Sequence, residues 1–244
     1  MARDCVCGRS SKFPYCDGTH NRLNRLNLQE PARPDLSSIH GMILDDGLPY
    51  KIYKNLMPEE TRVRLLNMMK TLGQEFWHDS SCTNDPVDQL RIHMPRSINN
   101  ALYEMQINNY KDWGNLFKVN VLHPEYSSPN GHGRIVDRRG PGAFLGKHQD
   151  IPTGDFSKYF GAASGESGME FTQIFYWNDD FKGGELVFNK SEFIKDDIIY
   201  RPTAGDVIVF RSFHEHEILP VISGNRYSSQ QFYYNINMMN SNKK

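Results

Sequence analysis

The chain has 244 residues, with 28 lysine and arginine residues against 29 aspartate and glutamate residues and a formal net charge of -1. This length can bury a full hydrophobic core, and all-β domains of this size are often single domains. The balanced charge provides no global basic field, so it indicates no nucleic-acid partner. No apolar run reaches the roughly 18 residues of a membrane span, and the N-terminus lacks the apolar core of a secretory signal. We therefore expect a soluble, cytoplasmic protein with no membrane partner.

The cysteines are concentrated at the N-terminus. Three of the four, Cys5, Cys7 and Cys16, fall within the first sixteen residues, and His20 follows closely, while Cys82 stands alone. In a reducing compartment such clustering favours metal binding over a disulfide. Mixed cysteine and histidine ligation serves both zinc and iron-sulfur clusters, so the residues leave both open.

The full spacing of this segment resembles the CDGSH iron-sulfur family. The resemblance consists of Cys-x-Cys, then Ser10 and Pro14, then Cys16-Asp17-Gly18-Thr19-His20. It implies a 2Fe-2S cluster held by Cys5, Cys7, Cys16 and His20; a zinc-bound knuckle is the alternative. We assign residues 1–22 to this small metal-binding loop module. Residues 23–49 are polar and proline-containing, which is typical of a linker.

The next part of the chain predicts one strand and two helices. Residues 50–53 form the strand. A helix follows Pro58, with an apolar face on Leu65, Leu66, Met69 and Leu72, and Gly73 is placed to end it. The second helix begins near Ser97 and is expected to end before Gly114.

Short strands dominate the remainder. Alternating apolar residues predict a strand over 117–122, and the glycine, proline and charged residues of 124–142 indicate a long loop. Further strands are expected at 169–177, 185–189, 192–200 (a short edge strand or bend), 207–210 and 226–235. Short strands after two helices predict a mainly β fold with flanking helices, whose core is a double-stranded β-helix of the jelly-roll or cupin type. We place this domain at residues 50–238 and a disordered tail at 239–244.

His148 and Asp150 are the first candidate site residues. They lie two positions apart in the extended stretch 144–150, so their side chains project to the same side. A non-haem iron site needs a further histidine and keeps open positions for oxygen and a co-substrate. His216, expected at the end of a strand, and His214 both offer that histidine. Nearby, Arg226 and Ser228 share one face of the last strand, where a planar guanidinium and a hydroxyl can bind a carboxylate.

Residues 117–235 resemble the iron(II)- and 2-oxoglutarate-dependent dioxygenases, particularly the prolyl-4-hydroxylase-like branch. The motifs that carry this resemblance are His148-x-Asp150, Tyr176-Trp177-Asn178, Gly183-Gly184-Glu185-Leu186, Gly205-Asp206, His216 with Pro220-Val221, and Arg226-x-Ser228. The resemblance implies that His148, Asp150 and His216 bind iron. His216 is favoured over His214 because only His216 places Arg226 at the family's spacing from the histidine. The resemblance further implies that Arg226 and Ser228 bind the distal carboxylate of 2-oxoglutarate, with a phenol contact from Tyr176. One departure is Arg139, nine residues before His148, where many prolyl hydroxylases carry tyrosine.

The activity implied by this resemblance uses Fe(II), 2-oxoglutarate and O2 to hydroxylate an amino-acid side chain while 2-oxoglutarate is decarboxylated to succinate. A prolyl residue in a peptide or protein is the leading substrate, and a free amino acid or small metabolite is the alternative. The iron-sulfur module would take electrons from a donor and return iron to the ferrous state, or would mediate docking. A second class of function is a non-catalytic iron or redox sensor.

Overall fold

The computed structural model describes residues 43–79, 87–90, 94–121, 124, 135–150 and 169–234. Within these residues there are two α-helices, α1 (Glu59–Thr71) and α2 (Arg96–Leu116), and a short 3-10 helix (Gln74–Phe76). The strands are β1 (Tyr50–Tyr53), β2 (His78–Asp79), β3 (Val87–Leu90), β4 (Ile135–Arg139), β5 (Leu145–His148), β6 (Met169–Tyr176), β7 (Lys182–Gly183), β8 (Leu186–Phe188), β9 (Ile198–Tyr200), β10 (Val207–Arg211), β11 (His216–Ile218), β12 (Val221–Ser223) and β13 (Arg226–Tyr234). The expectations for residues 1–22 and 239–244 lie outside this part of the chain.

Two antiparallel sheets form the body of the domain. The large sheet has the strand order β1-β10-β6-β13-β4-β3-β2, and the small sheet has the order β5-β11-β8-β9. Between them lies an apolar cluster that includes Ile174 and Phe210 from the large sheet and Leu186 and Phe188 from the small one. The predicted mainly β, double-stranded β-helix fold is therefore confirmed.

The helices cover the opposite face of the large sheet. Leu65 and Met69 of α1 and Leu102 of α2 are fully buried, and they join a cluster that contains Phe171 and Val209 of the sheet. Alternate residues of a strand face opposite sides, so the central strands β6 and β10 are apolar on both faces. This arrangement leaves the inner face of the large sheet for the space between the sheets.

The predicted end of the second helix is wrong, because α2 continues through Gly114 to Leu116. A Cβ at Gly114 would lie 2.8 Å from the carbonyl oxygen of Val119 and would overlap the side chain of Val121. The glycine therefore allows the following chain to pack closely against the last turn of the helix, which is a tertiary reason that sequence spacing does not reveal.

The extended prediction for 117–122 is also wrong over its described residues, 117–121. Phe117 and Lys118 form a turn after α2, with φ of +53° at Lys118, and Val121 makes only an isolated bridge. The Phe117 ring packs on Phe171 in the core, with 5.1 Å between ring centroids. The apolar residues of this segment thus pack against the core formed by the helices and the large sheet, and they do not form a strand.

The predicted loop 124–142 contains an unexpected strand, β4, which pairs with both β13 and β3. Its sequence, Ile-Val-Asp-Arg-Arg, is rich in charge and so favoured a loop, yet Asp137 and Arg139 are buried. A second correction concerns His216, which begins β11 and does not end a strand. A turn at residues 212–214 separates β10 from β11 and carries the chain from the large sheet to the small one.

Candidate metal centre and anion pocket

The two histidines of the candidate metal centre lie on neighbouring strands of the small sheet. His148 ends β5 and His216 begins β11, and the two residues are direct cross-strand partners. Opposite residues of an antiparallel pair project from the same face. Their rings accordingly lie close together, with 4.3 Å between centroids.

Asp150 completes the cluster from the chain just after β5. Its Oδ1 lies 3.5 Å from Nε2 of His148, and its Oδ2 lies 3.7 Å from Nε2 of His216. One ligand atom from each of the three residues can be chosen such that all lie within 4.8 Å of one another. This separation and the two-histidine, one-carboxylate donor set fit a single Fe(II) ion with open positions.

Backbone carbonyls orient both imidazoles. His148 Nδ1 is 2.8 Å from the carbonyl oxygen of Gly146, and His216 Nδ1 is 2.9 Å from that of His214. A carbonyl oxygen can only accept a hydrogen bond, so in each ring Nδ1 carries the proton and Nε2 faces the cluster as a metal ligand. His214 itself packs edge-on to Phe188 at 6.1 Å and supplies its carbonyl group, so the structure brings His216, not His214, into the cluster.

The charges of the cluster favour a bound cation. Burial acts to raise the pKa of Asp150, but the charges of the two histidines and the hydrogen bonds from His148 and Thr172 outweigh it, so the pKa is lowered. Burial lowers the pKa of His216. Burial acts in the same direction on His148, but the hydrogen bond and charge of Asp150 outweigh it and raise that pKa. The lowered pKa of Asp150 keeps its carboxylate ionised beside the two imidazoles, which is the donor set that a cation requires.

Two hydroxyl groups behind Asp150 were not predicted from the sequence. Thr172 donates a hydrogen bond of 2.6 Å to Oδ2 of Asp150, and its Oγ1 is 2.9 Å from Oγ of Ser212. The backbone N–H of Asp150 also donates to the carbonyl oxygen of Ser212 at 3.1 Å. The sequence position of Thr172 could have indicated it as a site residue. It is polar and lies four positions before Tyr176, so both side chains are on the same face of a predicted strand.

The anion pocket lies at the start of β13. Arg226 is completely buried, its Nη1 donates to Oγ of Ser228 at 2.8 Å, and its guanidinium carbon lies 4.9 Å from the centroid of the Tyr176 ring. Nε and Nη2 of Arg226 and the Tyr176 hydroxyl form no hydrogen bond of normal geometry with the described residues. Leaving a buried charge unpaired is costly, so these donors fit an anion such as a carboxylate.

Both halves of the site face the space between the sheets. The rings of Phe188 and Phe210, which belong to the inter-sheet cluster, lie beside His216, with centroid distances of 6.3 and 4.9 Å. Tyr176 belongs to the same cluster and is the cross-strand partner of Ser228. Burial raises the pKa of Tyr176 although the positive charge of Arg226 opposes it, so the phenol stays protonated and can donate a hydrogen bond. The structure therefore groups six candidate residues around the space between the two sheets: His148, Asp150, Tyr176, His216, Arg226 and Ser228.

The predicted cluster ligands Cys5, Cys7, Cys16 and His20 lie outside the described residues, so the iron-sulfur assignment stays a prediction. Among the residues that the structure describes, no helix is long and apolar enough to cross a membrane.

Comparison with known proteins gives one matching family model and several solved structures of similar fold. Residues 134–234 match the family model of the 2OG-Fe(II) oxygenase superfamily, and this segment contains both the metal cluster and the anion pocket. The comparison with curated proteins gives no significant match.

Several solved structures share the fold. A prolyl-4-hydroxylase from Pseudomonas putida matches with a TM-score of 0.55 and 15% identity, covering 77% of this chain and 92% of that chain. A prolyl hydroxylase from Trichoplax adhaerens, in complex with a hypoxia inducible factor oxygen degradation domain peptide fragment, matches with a TM-score of 0.56 and 15% identity, covering 80% and 88%. The viral collagen prolyl hydroxylase of Paramecium Bursaria Chlorella virus-1, in its 2OG complex, matches with a TM-score of 0.52 and 18% identity, covering 78% and 98%. At these identities the likeness establishes the fold.

Proposed function

We propose that the chain is an Fe(II)- and 2-oxoglutarate-dependent dioxygenase that hydroxylates an amino-acid side chain, with decarboxylation of 2-oxoglutarate to succinate. The observation that carries this proposal is the convergence of two complementary sites on one interior. The ligand atoms of His148, Asp150 and His216 lie within 4.8 Å of one another. Arg226, a buried cation with two nitrogens available to a ligand, opens onto the same interior.

Each residue has a distinct role in this proposal. His148, Asp150 and His216 hold Fe(II), which when bound supplies the activation of oxygen. Arg226 and Ser228 bind the distal carboxylate of 2-oxoglutarate through a fork of hydrogen bonds and so fix the direction of its keto-acid end. Apolar rings around the cluster keep water away from the reacting groups.

A prolyl residue in a peptide or protein is the proposed substrate. Three neighbours in fold are named as prolyl hydroxylases, and one of them is in complex with a peptide fragment. Mass spectrometry of candidate peptides and proteins after incubation with the enzyme, Fe(II), 2-oxoglutarate and O2 tests this assignment. A gain of one oxygen atom on proline supports it, and a gain only on a free amino acid or small metabolite contradicts it.

The reaction class has its own test, which does not depend on the substrate. His148→Ala is expected to abolish formation of succinate from 2-oxoglutarate, because it removes one of three metal ligands. Lys147→Ala is the matched control, since Lys147 is the exposed neighbour of His148 on β5. Unchanged succinate formation in His148→Ala would refute the metal site. A wild-type protein that binds Fe(II) but never consumes 2-oxoglutarate would favour the sensor function.

For the N-terminal segment we propose a 2Fe-2S cluster on Cys5, Cys7, Cys16 and His20, on the basis of their spacing. Anaerobically purified protein is expected to show a visible absorption spectrum that is lost on replacement of Cys16 or His20. A colourless protein that contains zinc would refute the cluster.

A further inference from the structure

Arg139 and Asp137 of β4 lie directly beside the anion pocket. In the pairing of β4 with β13, Arg139 is the partner of Arg226, and Asp137 is the partner of Ser228. Opposite residues of an antiparallel pair project from the same face. These four polar residues therefore form one block on the inner face of the large sheet, which turns towards the candidate site.

The block carries more positive than negative charge. Arg139 and Asp137 are each only 3% exposed, and Arg226 is completely buried. The guanidinium groups of Arg139 and Arg226 are therefore both buried and lie on directly opposite residues, where like charges repel. Among the four residues of the block, Asp137 supplies the one carboxylate. An anionic ligand between the strands and the metal cluster would relieve this repulsion.

The ion-pair contact between Asp137 and Arg139 is long. The Nη2 atom of Arg139 is 3.4 Å from Oδ2 of Asp137, and its Nη1 donates to the carbonyl oxygen of Phe144 at 3.3 Å. Charge-assisted hydrogen bonds of this kind are normally about 2.7 to 2.9 Å long. Oδ1 of Asp137 forms no hydrogen bond with the described residues. Arg139 therefore has a partner that a stronger anion can displace.

Arg139 also reaches the metal side of the interior. Phe144, which accepts its hydrogen bond, immediately precedes β5, the strand that ends at His148. In agreement with this position, the positive charge of Arg139 acts to lower the pKa of both His148 and Tyr176. A ligand that spans from the metal cluster to Arg226 therefore passes within the electrostatic reach of Arg139.

We propose that Arg139 is a second guanidinium contact for the dicarboxylate that the pocket binds, and that Asp137 competes with this ligand for Arg139. The inference rests on the proposed function, in which the dicarboxylate is 2-oxoglutarate. Together the two residues set the affinity for the co-substrate: Arg139 raises it and Asp137 lowers it.

The test measures binding of 2-oxoglutarate to the full-length, Mn(II)-loaded protein by calorimetry without O2. Arg139→Gln is expected to raise the Kd about tenfold, since it removes a hydrogen bond to a charged group. Asp137→Asn is expected to lower the Kd severalfold, because it frees Arg139 and removes a negative charge. Arg138→Gln is the matched control. Arg138 precedes Arg139 on β4 but projects from the other face, where it pairs with Asp88 and lies over Trp77. The Kd of Arg138→Gln for 2-oxoglutarate should therefore stay near that of the wild type.

The opposite signs separate this role from a structural one. If the Arg139–Asp137 pair only stabilised the fold, both variants would weaken binding or neither would change it, and either result overturns the inference. If Arg139→Gln fails to fold, the nearly isosteric Asp137→Asn decides alone, and an unchanged or higher Kd overturns the inference. Arg226→Gln separates the two proposals. Lack of binding by the wild-type protein refutes the proposed function, whereas loss in Arg226→Gln with no change in Arg139→Gln refutes only the role of Arg139.

Discussion

Replacing Thr172 by valine tests whether the hydroxyl groups behind Asp150 position that carboxylate for the metal. Valine keeps the branched shape of threonine, and Thr172 is only 1% exposed, so the substitution removes the hydroxyl with little change in packing. It deletes the 2.6 Å hydrogen bond to Oδ2 of Asp150 and the 2.9 Å contact with Oγ of Ser212. Asp150 then loses the group that fixes the orientation of one of its two oxygens.

The magnitude follows from the nature of this bond. A hydrogen bond to a charged group contributes about 1.5 to 3 kcal/mol. If most of this is lost from the metal-bound state, the Kd for metal rises about 10- to 100-fold, which is also the usual effect of removing a partner of a metal ligand. The same hydroxyl helps to lower the pKa of Asp150, so its removal also favours the protonated carboxyl, which cannot bind metal.

The assay is titration of the metal-free protein with Co(II), followed by its visible absorption bands. Thr172→Ser is the matched control because it retains the hydroxyl and should remain within a few-fold of the wild type. A Kd for Thr172→Val within twofold of the wild-type value, in a protein that is folded by circular dichroism, would refute the reasoning.

Three further predictions follow from the described geometry. Because Asp150 raises the pKa of His148, the folded metal-free protein binds the second imidazole proton of His148 more tightly than the unfolded chain does. This proton stabilises the fold at low pH, and the stabilisation is lost as the pH rises through the raised pKa. Metal affinity should show the opposite trend and fall as the pH drops through that pKa, which Mn(II) titrations between about pH 6 and 8 would check; a flat profile contradicts it. Gly184→Ala forces a φ of +68° on alanine and brings a methyl group to 3.0 Å from Cδ of Arg226. It should destabilise the fold by about 1 to 2 kcal/mol, measured by urea unfolding, and weaken 2-oxoglutarate binding, measured by calorimetry. Unchanged values in both measurements would contradict the prediction. Gly114→Ala should cost about 1 to 3 kcal/mol through overpacking at the end of α2, and a gain in unfolding free energy, as expected for an ordinary helical glycine, would contradict it.

The site was more predictable from the sequence than the elements that carry it. His148 and Asp150 are close in sequence, and their spacing on an extended chain already places them on one side. In the sequence, only the distance to Arg226 favours His216 over His214; in the structure, the strand pair β5–β11 places His216 opposite His148. In contrast, the sequence of β4 predicts a loop, because its charged residues resemble surface residues as long as their buried partners on β13 are unknown.

Local pattern determined the periodic apolar faces, the alternation of strands and turns, and the chemical type of each candidate ligand. These features depend on neighbours along the chain, so the sequence carries them directly. The tertiary structure decided that Gly114 lies inside a helix, that Thr172 and Ser212 stand behind Asp150, and that Arg139 lies beside Arg226. Each of these depends on contact between segments far apart in sequence, and such contacts arise only when the sheets pair and the core closes.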